Sequence, residues 1–165
     1  MADYLFVRQT DGFTCGPTVA MVASAALDPT YGAGIGDPGD EQHAIHKAAN
    51  FLWPRKLGTT PWAVAKVISR HARALGVKYR WRYFNHDLAD VIAAVEGGWP
   101  VAMLIGSGIP RHWILLIGHS DGVFTCFNPA RGAQVEVPVA DVQNRNLGVL
   151  GFPRAFAMVL PGRAV

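Results

Sequence analysis

The chain has 165 residues, half of them apolar and 16% charged, which excludes a disordered or low-complexity protein. That length suits one ordinary domain spanning residues 1–165, with room for a real core. A net charge of +3 and a pI near 9.1 suit an anionic partner such as a bacterial wall, and no Lys/Arg stripe with interleaved aromatics argues for nucleic acid. Two cysteines, Cys15 and Cys126, define no disulfide framework. The N-terminus has no basic segment followed by a long apolar one, so neither a signal peptide nor a membrane span is expected. Synthesis in a reducing cytosol is the default expectation, and release to a cell wall would need another route.

Tyr4 to Val7 reads as a short extended lead-in. The stretch Gln9-Thr10-Asp11-Gly12-Phe13-Thr14-Cys15-Gly16-Pro17-Thr18 comes next and opens an uncharged run to Leu27. That run is apolar almost all round, which predicts a buried central helix. Thr14 is the expected N-cap, which puts Cys15 in the first turn. A thiol at the positive end of a helix dipole gains thiolate character. Gly16 is expected to leave room for a substrate backbone, and Pro17 fits a first turn. Asp28-Pro29 breaks the helix, and the Gly-rich residues 30–40 read as a loop. Asp40 is expected to cap a second helix with Ala44, Ile45, Ala48 and Leu52 on one face, ended by Pro54. Thr60 and Pro61 start a third helix, with Ala65, Ile68, Ala72 and Leu75 on its face and Gly76 as its stop. Tyr79, Trp81 and Tyr83 alternate with Lys78, Arg80 and Arg82, a strand with one aromatic face turned to the core. Asp87 caps a fourth helix carrying Leu88, Val91, Ile92 and Val95.

The C-terminal half changes to strands. Val101 to Ile105 reads as one, Gly106 to Arg111 as a loop, and His112 to Gly118 as a second. Val123 to Phe127, Gln134 to Val137 and Ala155 to Leu160 follow, with a helical turn over Val139 to Asn144. Helices first and tightly turned strands second argue for an α+β fold with an antiparallel sheet.

Thiol hydrolysis of an amide needs a thiolate, an imidazole, a group that orients the imidazole, and a donor for the oxyanion. Cys15 is the candidate nucleophile. His112 begins a strand after a loop, where an imidazole can meet a helix N-terminus. Asn128 ends the next strand, and adjacent antiparallel strands joined by a tight turn bring these two ends together. Gln9 can aim its amide at the site beside the Cys15 backbone N–H. Cys126 shares the strand face of Asn128 and reads as core packing. His43 and His46 have helical spacing but no third metal ligand, and His71 and His119 read as surface or strand-end residues.

Gln9, then Cys15-Gly16-Pro17, then Arg111-His112-Trp113 running to Gly118, then Phe127-Asn128-Pro129, together resemble the peptidase C39-like group of papain-like cysteine peptidases. The resemblance spans about residues 4 to 160. It implies a papain-like fold with N-terminal helices packed on a C-terminal antiparallel sheet. It implies that Cys15 attacks, His112 is the base, Asn128 orients it and Gln9 supplies the oxyanion hole. Asn128 stands where Asp is usual in the group, although papain-like enzymes also use Asn. No cofactor or metal is implied. The expected partner is a peptide, for instance a stem or cross-bridge peptide of peptidoglycan, cleaved by a monomeric, lysin-type enzyme. A leader-peptide processing protease is the competing substrate reading, and an inactive peptide-binding module is the competing class.

Overall fold

A computed structural model describes residues 4–12, 14–49 and 59–162. Helix α1 spans Cys15–Leu27 and is almost wholly buried. It has no polar face because it has no solvent side: helices lie around it and a sheet lies beneath it. Asp28 closes α1 and at once caps α2, Pro29–Gly34, its side chain accepting the Tyr31 N–H at 3.1 Å. A helix therefore stands where the glycines predict a loop. One acidic cap and a Pro at the first position outweigh the helix cost of Gly32 and Gly34.

Helix α3 spans Pro38–Ala49, and its start corrects the expected cap. Asp37 Oδ1 accepts the Asp40 N–H at 2.9 Å, so Asp37 is the cap and Asp40 lies inside the first turn. The buried face is Gln42, Ile45 and His46, while Ala44 and Ala48 are exposed. Leu52 and Pro54 lie outside the described residues. Helix α4, Pro61–Ala72, starts as expected: Thr60 Oγ1 accepts the Ala63 N–H at 3.3 Å. A 3₁₀ turn follows, and Gly76 ends it in the left-handed region at φ 72°. That turn rotates Leu75 out to solvent, off the face it was expected to share.

Six strands form one antiparallel sheet in the order β1-β6-β2-β3-β4-β5. They are β1 (Tyr79–Tyr83), β2 (Val101–Gly106), β3 (Pro110–Ser120), β4 (Val123–Asn128), β5 (Ala133–Pro138) and β6 (Arg154–Pro161). Helices α5 (Ala89–Glu96) and α6 (Val139–Gln143) complete the fold. Strand alternation divides the core in two. Ala102, Leu104, Trp113, Leu115 and Phe127 face α1 and α4. Val101, Met103, Ile105, Ile114, Leu116, Phe124 and Cys126 face α5 and α6. Strands β2 and β3 read as unbroken apolar runs because both their faces are covered. Of the aromatic face on β1, only Tyr79 is core; Tyr83 is 75% exposed because β1 is an edge strand running past the end of α4. Tyr4 to Val7 packs without joining the sheet.

The turn between β2 and β3 sets the start of β3. Ile105 pairs with His112 and Gly106 with Pro110, so Arg111 is an extra residue, a bulge beside His112. Strand β3 thus begins before His112, at a residue expected to lie in the loop. A Cβ on Gly106 would overlap the Ile109 carbonyl. Gly106→Ala should therefore cost roughly 1–3 kcal/mol of stability, read as a lowered urea midpoint; an unchanged midpoint would show that the turn can open without loss.

Candidate active site

Cys15 sits at the first residue of α1 and is 4% exposed. Thr14 occupies the N-cap position, but its side chain makes no bond into the helix. Its Oγ1 instead accepts the N–H groups of Thr10 at 3.1 Å and Asp11 at 3.2 Å, closing the preceding loop. The first-turn N–H groups are left for the sulfur. Backbone N–H groups of Trp113, Gly16 and Cys15 itself point at the thiol and favour its thiolate. Burial acts the other way and is larger, and the Asp11 carboxylate adds to it. The net effect pushes the Cys15 thiol up, not down as the helix position alone predicts.

The space beside Gly16 is also not what the sequence suggests. A Cβ there would lie 2.6 Å from Thr59 Cβ and 3.1 Å from Trp113 Cδ1. Gly16 therefore admits Thr59 and the Trp113 indole, and no substrate room remains on that side. Trp113 Nε1 donates to the Thr59 carbonyl at 3.0 Å, fixing both.

His112 and Asn128 meet as the strand topology requires. His112 Nε2 lies 2.9 Å from Asn128 Oδ1, and the rings of His112 and Phe152 are 6.0 Å apart. The Ala130 N–H also points at Asn128 Oδ1, at 3.1 Å. A backbone N–H can only donate, so the atom between them is the amide oxygen. His112 Nε2 is then the protonated nitrogen, and Nδ1 carries the lone pair. Burial lowers the His112 pKa, and the bond to Asn128 only partly offsets this. At neutral pH, both shifts favour a neutral thiol and a neutral imidazole.

Gln9 joins the site from the other side. Its backbone N–H donates to the Pro129 carbonyl at 2.8 Å, one residue from Asn128. Its Nε2 donates to the Asp11 carbonyl at 2.6 Å, and Oε1, buried, accepts no hydrogen bond among the described residues. Gln42 of α3 holds this loop and escapes sequence reasoning. Its Oε1 accepts the Thr10 N–H at 2.9 Å, and its Nε2 donates to the Arg8 carbonyl at 3.1 Å. Both residues flanking Gln9 are thus tied to one buried amide, which no spacing in the chain announces.

The four candidates form a connected patch. Gln9 adjoins Asn128 through Pro129, Asn128 binds His112, and Trp113, the next residue, touches Cys15. No hydrogen bond joins Cys15 Sγ to the His112 ring among the described residues. Cys126 is core, its thiol pushed up to about 12 by burial. His43 Nε2 pairs with Thr10 Oγ1 at 3.2 Å, and His119 Nδ1 with Glu96 at 2.8 Å. Among the described residues no group of three His, Cys, Asp or Glu side chains could hold a metal ion, and no helix is long and apolar enough to cross a membrane.

Known structures can be compared on this geometry. A double-glycine-motif protease from an AMS/PCAT transporter, in complex with a leader peptide, superposes with TM-score 0.58 at 15% identity, over 97% of this chain and 91% of that one. The peptidase domain of Streptococcus ComA, a bifunctional transporter of a quorum-sensing pathway, gives 0.56 at 17%, over 97% and 98%. A C39-like protein from Bacillus anthracis gives 0.63 at 11%, over 99% and 96%. The fold is that of the C39 peptidase domains. The C39 fold is therefore reached with little sequence in common, and both its helices and its antiparallel sheet are present. No family model and no curated protein matches the chain.

The raised Cys15 pKa has a direct consequence. Alkylation of the resting protein by iodoacetamide should be slow at neutrality and accelerate only in the alkaline range. A fast phase at Cys15 below neutrality would reveal a resting thiolate–imidazolium pair instead.

Proposed function

We propose that the protein is a cysteine peptidase in which Cys15 attacks, His112 is the base, Asn128 orients it and Gln9 contributes to the oxyanion hole. The observation that carries this reading is the His112–Asn128 pair, whose tautomer leaves Nδ1 unprotonated one residue from the Trp113 N–H that faces the thiol. In the substrate complex the Cys15 proton passes to His112 Nδ1, and the sulfur adds to the scissile carbonyl carbon. The second amino hydrogen of Gln9 and the Cys15 N–H bind the oxyanion. The C–N bond breaks as His112 returns the proton to the leaving amine. Water, deprotonated by the same nitrogen, then hydrolyses the thioester. The lack of a thiol–imidazole hydrogen bond among the described residues fits a site that tightens only around substrate.

Two substrate readings follow. A polypeptide processed like a leader is supported by the neighbour that binds a leader peptide and by the ComA peptidase domain. Peptides of a bacterial wall, cleaved in the manner of a lysin, rest on the basic charge. Incubation with double-glycine peptides and with purified peptidoglycan separates them. We also take the chain as one domain and a monomer.

Cys15→Ala should abolish hydrolysis while leaving the melting curve in place; undiminished turnover would remove Cys15 as nucleophile. Gln9→Ala should lower the turnover rate by roughly 10²–10³ and spare thiol alkylation. Asn128→Ala should lower turnover without abolishing it, since the orienting bond is worth less than the nucleophile.

Asn128→Asp provides an independent readout. A carboxylate at Oδ1 would favour imidazolium, so the His112 pKa followed by NMR should rise from its depressed value. Were it to stay put, Asn128 would not be the group that governs His112.

A further inference from the structure

A groove of about 1030 Å³ runs between α4 and the edge strand β1. Lys66, Arg70, Arg73, Lys78 and Arg80 line it, and among the described residues no carboxylate does. The first three follow i, i+4, i+7 spacing, one stripe along α4 and its 3₁₀ turn. None of the five forms an ion pair among the described residues. Their charge exceeds the +3 of the whole chain, so the rest of the molecule is net acidic. The sequence shows a mildly basic protein; the fold concentrates that basicity in one place. Gathering like charges without counter-charges is unfavourable, so the groove is complementary to an external anion.

An exposed aromatic, Trp62, lines the same groove, and a second exposed ring, Tyr83, lies just beyond it. Trp62 is 56% exposed, and its ring lies 6.2 Å from that of Trp81, which is edge-on to Tyr83 at 5.1 Å. Large exposed rings beside cations mark a contact surface. Sheet extension is not its mode. Ser69 Oγ accepts the Tyr79 N–H at 2.9 Å and donates to its carbonyl at 3.2 Å, and Arg82 takes the Tyr83 carbonyl at 2.9 Å. The outer edge of β1 is thus engaged at both its ends and offers no continuous ladder, so recognition falls to side chains.

Position identifies the occupant. Thr59, packed on Gly16 and Trp113 beside the thiol, lies three residues before Trp62. From Trp62 the groove follows α4 to Arg73, about 17 Å at the helical rise, which about five extended residues would span. The Trp62 end of the groove is therefore one turn of α4 from the unit packed around Cys15, near enough for one polypeptide to reach both. We propose that the groove binds an acidic segment of the polypeptide substrate, on one side of the scissile bond. This rests on the reading of Cys15 as nucleophile.

Binding can be measured apart from turnover with the Cys15→Ala protein and fluorescein-labelled decaglutamate, with decaglutamine and oligo(dT) alongside. Decaglutamate should bind at least about tenfold more tightly than decaglutamine, and high salt should weaken it. Arg70→Glu or Arg73→Glu should each cost about tenfold. Arg145→Glu, the same charge change on an exposed arginine after α6, should cost less than about twofold. Equal binding of the two peptides, equal effects of Arg70→Glu and Arg145→Glu, or tighter binding of oligo(dT) than of decaglutamate would overturn the proposal. Wild-type protein that binds decaglutamate but hydrolyses no peptide would overturn the nucleophile reading and leave the groove; an active enzyme indifferent to decaglutamate would do the reverse.

Discussion

The site depends on how Trp113 is buried. Its indole is 1% exposed, faces α1, and donates to the Thr59 carbonyl. That contact requires the missing Cβ at Gly16, because a methyl there would overlap Thr59. The residue after Cys15, the residue after His112 and the loop before α4 are therefore one packed unit. Strand alternation then does the rest: with Trp113 facing α1, His112 must project on the side of Ile114 and Leu116, where Asn128 and Phe152 lie. Trp113, whose indole fills the space beside Gly16, also brings its backbone N–H to the sulfur.

The loop carrying Gln9 has no regular structure, so its position must come from side chains. Thr14 Oγ1 closes it from within, and Gln42 binds the backbone on both sides of Gln9. A buried amide with both ends satisfied by backbone is a stiff strut, since losing either partner strands a polar group out of water. Loops that carry chemistry need such support, because backbone bonds of their own do not hold them.

What could be read from the sequence follows from what is local. The long apolar helix, the Thr60-Pro61 start, the Gly76 stop and the strand-end meeting of His112 with Asn128 all follow from periodicity, caps and the pairing of strands consecutive in the chain. The failures are non-local or competitive. Helix α2 forms because one aspartate caps it against its glycines, and Asp37 outcompetes Asp40 for α3 because Pro38 follows it. Gly16 suggests open space in the sequence, where nothing reveals that Thr59 and a tryptophan from position 113 fill it. The basic groove is half legible: Lys66, Arg70 and Arg73 share a helical stripe, but their meeting with Lys78 and Arg80 depends on packing between α4 and β1.

Burial also bears on the third member of the patch. Asn128 is 7% exposed, and its oxygen already receives one N–H from Ala130 and one from His112. A carboxylate there would be a buried charge facing an imidazole whose own surroundings disfavour protonation. Keeping the pair ionised at rest would need more compensation than two donors supply. A neutral amide avoids that cost and still fixes the tautomer, which is the geometric half of what an acid contributes. With the thiol raised and the imidazole lowered, a neutral amide beside His112 matches surroundings that disfavour a resting ion pair. In the proposed mechanism, charge separation is then confined to the substrate-bound state, where the first-turn N–H groups of α1 are already in place to receive it.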